Sequence, residues 1–245
     1  WRAPIDNDVP MLEKWKQHFY DTASQKVYSC IVSETEKGIE IKTVMSLCTL
    51  VRAPVFKIEM INKIEPNGKI HFNICAVKTE ITKEANMYMP RFGLELVMPK
   101  GNEYVKYFGR GENESYIDKK LSSKLGVYSA EVGELFTDYV RPQESGSHAE
   151  TKWFYVGSQN GVGLYAESAR KFSFNASHYH IRELEAKKHN TELIPAEETI
   201  IYIDYKMSGV GSCICGPSLK NEYRFNDEKF EFDFSVTPIN RFGVL

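Results

Sequence analysis

The sequence predicts an all-β chain folded as an antiparallel β-sandwich. Three observations lead there. Apolar and polar residues alternate through most of the long runs, the period of a strand with one face buried and the other solvated. Turn signals built on Gly, Pro, Asn and Asp separate those runs. Only two short stretches carry a helical period. Regularly spaced strands with such turns point to stacked sheets rather than to an α/β arrangement.

In chain order, Met11–Tyr20 is the first helical stretch. Gly38–Leu47, Val55–Ile64 and Lys69–Val77 then alternate as strands, with the turn Pro66-Asn67-Gly68 between the last two. Pro99-Lys100-Gly101 marks another turn. Trp153–Val156 and Gly163–Ala166 flank Asn160-Gly161, a pair that predicts a hairpin closed by a type I′ turn. Ile181–His189 is the second helical stretch. Thr199–Lys206 and, after Asn226-Asp227, Lys229–Val236 read as further strands. No repeat, low-complexity linker or shift in composition divides the chain, so residues 1–245 read as a single domain.

A hydrophobic content of 42% is enough for a sizeable core. The net charge of −2 offers nothing to nucleic acid or to an anionic membrane, so neither is expected as a partner. No apolar run reaches the roughly 20 residues needed to span a bilayer, and no signal peptide is visible. The first residue is Trp1 rather than Met, so the chain reads as a piece of a larger protein. Its compartment stays open, with bacterial cytoplasm and periplasm both compatible.

The five cysteines do not make a disulfide framework. Cys30, Cys48 and Cys75 lie in apolar strand-like runs and are expected as small core residues. Cys213 and Cys215 lack the spacing of a zinc knuckle or redox pair. His178 and His180 would share one face of a strand, yet no third ligand stands at a suggestive spacing, so no metal is expected.

The segment after the strand at 199–206 holds the chemistry-bearing signal. Gly209-Val210-Gly211-Ser212-Cys213-Ile214-Cys215-Gly216-Pro217 can neither extend the strand nor begin a helix. It is either a tight turn or a loop that closely approaches a ligand or a neighbouring domain. Elsewhere stand Trp1–Asp8, Met89–Gly93, Tyr107–Gly111 with Glu114, Tyr116 and Asp118, and Tyr139–Glu144 with Gly146 and Trp153. In this order the five segments resemble the C-terminal "small chain" domain of glycoside hydrolase family 2 β-galactosidases, and the resemblance covers nearly all 245 residues.

The resemblance implies a large two-sheet supersandwich similar to galactose mutarotase. It also implies a non-catalytic role. Retaining glycosidases need an acid/base and a nucleophile about 5–5.5 Å apart, and in this family both glutamates lie in a TIM-barrel domain that would precede Trp1. The expected partners are that barrel and, through it, a β-galactoside substrate. No cofactor is expected in this domain, any Mg and Na ions being bound elsewhere in a homo-oligomeric parent. The alternatives are a freestanding carbohydrate-binding module and, further off, an aldose epimerase, which would need an acid and a base on opposite sides of a sugar ring.

For the rim of a sugar site, the candidates are Cys215, Arg91, Arg110, Tyr116, Gln143, Glu144 and Trp153. Trp1, Tyr107 and Tyr139 join Tyr116 and Trp153 as aromatics expected to line one concave face. In family members with a longer 209–217 loop, a tryptophan of the galactose site falls near Cys215. Glu112, Ser115 and Lys119 likewise replace the family's proline, asparagine and arginine. Glu114, Asp118 and Glu144 stand among Arg91, Arg110 and Arg141, which predicts lowered carboxyl pKa values and structural ion pairs, with Arg110, Glu114 and Asp118 as one network.

Overall fold

A computed structural model describes residues 1–49, 54–79, 87–212, 215–240 and 243–244. Among the described residues, twelve strands carry the fold: β1 Ser24–Thr35, β2 Gly38–Cys48, β3 Phe56–Ile64, β4 Ile70–Lys78, β5 Arg91–Met98, β6 Tyr104–Gly111, β7 Lys124–Glu131, β8 His148–Gly157, β9 Gly163–Ser177, β10 Thr199–Met207, β11 Lys229–Asn240 and β12 Gly243–Val244. Three helices accompany them: α1 Val9–Gln17, α2 Val132–Leu135 and α3 Ile181–Ala186.

All pairings are antiparallel, and the main sheet runs β1-β2-β3-β4-β11-β9-β8-β6-β7. The sheet forks at β9. The start of β9 pairs with β11, whereas Ser173–Ser177 pair with β10, which in turn pairs with β5. The β5–β10 layer folds over β3 and β11, and aromatic rings fill the space between them. Tyr205 stacks on Phe230 at 4.2 Å, and Phe92 meets Phe230 edge-on at 4.8 Å. Phe56 touches both Phe92 and Phe230 and is fully buried, worth roughly 1.5–3 kcal/mol relative to exposure. The predicted sandwich is therefore present, with its two layers joined by hydrogen bonds at β9.

The alternating runs became β2, β3, β4, β10 and β11 within a few residues of their predicted ends. The helices differ more. Pro10 sits in the first turn of α1, where its missing N–H is no loss, so the helix begins before Met11. It stops before Phe19, which adopts a left-handed φ of 58°. α3 ends at Ala186 because Lys187 turns extended.

The hairpin at Asn160-Gly161 joins β8 to β9 as expected, but not through a type I′ turn. That turn needs positive φ at both central residues, and here only Gly161, at 78°, has it. The Gly161 amide instead donates to Ser158 O and the Ser158 amide to Val162 O, a longer turn with one left-handed glycine.

The cysteine expectation also fails. Cys30 is exposed and Cys48 and Cys75 are half-buried. β1 is an edge strand with both faces open, and Cys75 lies on the polar face of β4 beside Asn73. Among the described residues, no helix is long and apolar enough to cross a membrane.

Candidate functional site

The five segments picked out in the sequence converge on one corner of the sandwich. Trp1–Asp8 runs just ahead of α1 and supplies the hub. Arg2 is fully buried and grips Asp8 with two bonds, Nε to Oδ2 at 3.0 Å and Nη2 to Oδ1 at 2.6 Å. Its guanidinium also donates to the carbonyls of Ser208 and Gly209, at 2.5 and 3.2 Å. Asn7 donates to Val210 O at 2.7 Å. The Glu144 amide donates to Ala3 O at 3.2 Å, and Arg141 pairs with Asp6 at 2.8 Å. Ser208 Oγ donates to Met89 O and accepts the Phe225 amide. One buried arginine and its neighbours thus tie the chain's first residues to the 209–217 segment, to the stretch around Glu144 and to the stretch around Met89.

Beneath this hub lies a buried charge cluster. Arg91, at the start of β5, makes a bidentate pair with Asp204 of β10, both bonds 2.7 Å long, and stacks over Tyr202 at 4.2 Å. Glu144 approaches Arg91 more loosely at 3.4 Å, and its Oε1 is buried with no partner. Burial dominates over Arg91 and lifts the Glu144 carboxyl from 4.5 to about 7, with Asp204 and Glu114 adding to the rise. This corrects the expected lowering: the arginine spends its bidentate geometry on Asp204, and Glu144 is left with the desolvation.

The expected network of Arg110, Glu114 and Asp118 does not form. Arg110 pairs with Glu150 at 2.7 Å and donates to the carbonyls of Lys120 and Ser123. Glu150 sits at an irregularity of β8 with a left-handed φ of 57°, and Lys120 and Lys171 also reach it. Burial works to raise its carboxyl, but hydrogen bonds from Lys120 and Arg110 hold it at about 2. Glu114 instead takes Lys119 Nζ at 2.6 Å, the Gly146 amide at 2.8 Å and the Tyr139 hydroxyl. Burial opposes its ionisation, and these donors together bring its pKa below the ordinary value. Asp118 turns to the 209–217 segment and accepts from the Val210 and Gly211 amides at 2.9 and 2.8 Å.

The seven predicted rim residues are therefore differently placed. Arg91, Glu144 and Tyr116 are buried, with Tyr116 OH donating to Glu114. Arg110 is partly exposed in its own cluster. Gln143 is half-buried and donates to Arg141 O. Trp153, on β8, lies half-buried against Tyr165 with ring centroids 6.0 Å apart. Cys215 is exposed, and so are Gly216, Pro217 and Ser218. The 209–217 segment therefore has an anchored first part, through Gly211, and an exposed tip at 215–218. Cys213 lies outside the described residues.

The aromatics do not share one face either. Tyr107 points into the core against His148 and Phe174, whereas Trp1 packs on Trp15 and donates to Glu185. An open groove of about 1220 Å³ lies on the sheet far from the hub, lined by Lys63, His71, Asn73, Glu167 and Asp233 among others, and none of the seven touches it. The two histidines considered as a metal pair are separately engaged, His178 with Glu103 and His180 near Glu95. Among the described residues, no group of His, Cys, Asp and Glu is placed to hold a metal ion.

A family model described as "Beta galactosidase small chain" matches residues 1–237. The chain belongs to the β-galactosidase small-chain family. Among curated relatives, it is 38% identical over 237 residues to a β-galactosidase of Actinobacillus pleuropneumoniae and 33% identical over 237 residues to one of Staphylococcus xylosus. A β-galactosidase of Kluyveromyces lactis is 29% identical over 240 residues. Each alignment takes in 96% of this chain but only 23% of the relative's length. This small chain thus corresponds to one domain of a larger β-galactosidase.

Sequence reading missed the members that organise the site: Asp204, the Arg2–Asp8 pair and Glu150. A signal existed for Asp204, an acid inside the otherwise apolar run Ile200–Tyr205, where a charge needs a buried partner.

Proposed function

We propose that this chain is the non-catalytic C-terminal domain of a retaining β-galactosidase, and that it completes the rim of an active site carried by a preceding barrel. The convergence of five segments on one corner carries this reading. The fully buried Arg2–Asp8 pair, the Arg91–Asp204 pair and Asp118 build a rigid base, and the tip at 215–218 projects from it into solvent. A rigid scaffold presenting one exposed loop suits a contribution to a neighbouring site. Catalysis by this chain alone would need an acid and a nucleophile facing a common open space. The acids at the hub do not offer that arrangement: Glu144 is buried in the interior, Glu114 is paired with Lys119, and Asp118 is bonded to backbone.

The outer strand supports packing against another body. Val27, Tyr28, Ile31 and Val32 of β1 are each more than half exposed on a strand whose outer edge pairs with no other strand among the described residues, a surface that a neighbouring domain would cover. In this reading the parent hydrolyses terminal β-galactosides with retention.

Assay of the isolated chain and of the full parent with a chromogenic galactoside tests the proposal. The isolated chain is expected to show no turnover. In the parent, Cys215→Trp is expected to change KM or aglycone preference, while the stability of the domain stays within about 0.5 kcal/mol, as for a surface change. Turnover by the isolated chain that disappears in Glu144→Gln would overturn the reading.

A further inference from the structure

Asp118 occupies an unusual position for an acid in a cluster of charges. The nearest cations of its segment are committed elsewhere, Arg110 to Glu150 and Lys119 to Glu114. Its two oxygens divide between two successive backbone amides: Oδ1 accepts from Val210 at 2.9 Å and Oδ2 from Gly211 at 2.8 Å. A carboxylate receiving consecutive N–H groups is held by charge-assisted bonds and fixes the dihedral angles between them. The fit requires Gly209. A Cβ there would stand 2.5–2.9 Å from the Asp118 carboxylate, so the acid lies flat against a backbone that only glycine leaves bare.

The opposite side of the same segment is held as well. Asn7 donates to Val210 O, Arg2 donates to Gly209 O, and the Gly209 amide donates to Tyr223 O. Both backbone polar groups of Gly209 and of Val210 are thereby satisfied by residues distant in sequence. Asp118 is the partner that closes the turn toward the exposed tip at Cys215. Among the described residues, the contacts of Arg2, Asn7 and Tyr223 lie at Gly209 and Val210. Beyond the tip, Leu219 is buried and its carbonyl accepts from Arg224 Nε at 2.7 Å, so Asp118 holds one flank of the tip and Leu219 the other.

We propose that Asp118 is a positioning residue, a latch that sets where the 215–218 tip stands relative to the leaving-group side of a bound galactoside. This rests on the reading of the tip as part of the active-site rim. Asp118 touches no substrate in this scheme. It acts through Val210 and Gly211, so its loss changes how an aglycone is accommodated more than how the glycosidic bond is broken.

The test uses the full-length parent carrying Asp118→Ala, Asp118→Asn or Gly209→Ala. Amide hydrogen exchange is followed at residues 207–219, and KM and kcat are measured for galactosides with aromatic and alkyl aglycones. Asp118→Ala is expected to speed exchange at both Val210 and Gly211 on the order of ten-fold or more, the loss of one charge-assisted bond each. Asp118→Asn keeps a single acceptor oxygen and is expected to protect one of the two amides. Gly209→Ala keeps the acid but displaces it, and is expected to match Asp118→Ala even if the latter folds poorly. KM is expected to rise several-fold, unequally between the two aglycone classes, with a smaller change in kcat. Unchanged exchange in Asp118→Ala and Gly209→Ala would overturn the latch while leaving the rim reading standing. Faster exchange with KM unchanged for both aglycone classes would overturn the positioning role, while the rim reading fails separately if bound galactoside does not slow alkylation of Cys215.

Discussion

Glu144→Gln is the most informative perturbation of the buried hub. The carboxyl is 5% exposed, meets Arg91 only at 3.4 Å and has an Oε1 with no partner. Its pKa is about 7 in the folded chain against 4.5 for the ordinary group. The folded state therefore binds the proton more tightly than the unfolded state, and stability falls as pH rises from about 4.5 through 7. Above that window the penalty levels off. A shift of this size corresponds to about 3 kcal/mol, most of it absent at pH 5 and nearly all of it present at pH 8. Glutamine keeps the shape and removes the charge, while Arg91 retains its bidentate hold on Asp204. Urea unfolding of wild type and variant at pH 5 and pH 8 measures the effect. The variant is expected to gain about 2–3 kcal/mol relative to wild type between the two pH values. Parallel stability profiles would refute the reasoning and show that Glu144 ionises with adequate solvation.

Two further substitutions separate the ion pairs from one another. Arg91→Ala leaves the fully buried Asp204 without its partner and is expected to cost about 3–5 kcal/mol, read as a lowered urea midpoint; a loss under about 1 kcal/mol would mean that the acid finds another partner. A double-mutant cycle should couple Arg110 to Glu150 by about 1–3 kcal/mol and leave Arg110 with Glu114 or Asp118 additive within about 0.5 kcal/mol, so coupling to Glu114 would contradict the observed pairing.

Strands with one buried face were legible because period two is local. β2, β3, β4 and β11 announce themselves in that way, whereas β10 is buried on both faces along Thr199–Asp204 and shows instead as a mostly apolar run. β1 was not legible, because both of its faces are open and burial imposes no alternation on Ser24–Thr35. Glycines at 109, 111 and 126 interrupt the pattern of β6 and β7. At the site, the segments were recognisable but their partnerships were not. Arg91 and Asp204 are separated by 113 residues and meet only because β5 pairs with β10. Glu150 reaches Arg110 from a register shift in β8, which no spacing rule anticipates. Asp118 was singled out as a charge among charges, yet its partners are backbone amides, which carry no sequence signature.

The central claim is that the exposed tip around Cys215 stands at the active site of the parent enzyme. Peptide-resolved alkylation of the full-length protein tests it most directly, with the modification rate of Cys215 compared with and without a saturating non-hydrolysable galactoside. Cys75, half-buried on the polar face of β4 and away from both the tip and the β1 edge, serves as the internal reference. The account predicts that bound galactoside slows modification of Cys215 and leaves Cys75 unchanged. Equal rates at Cys215 in both conditions would contradict it and return the 209–217 segment to the role of a structural turn.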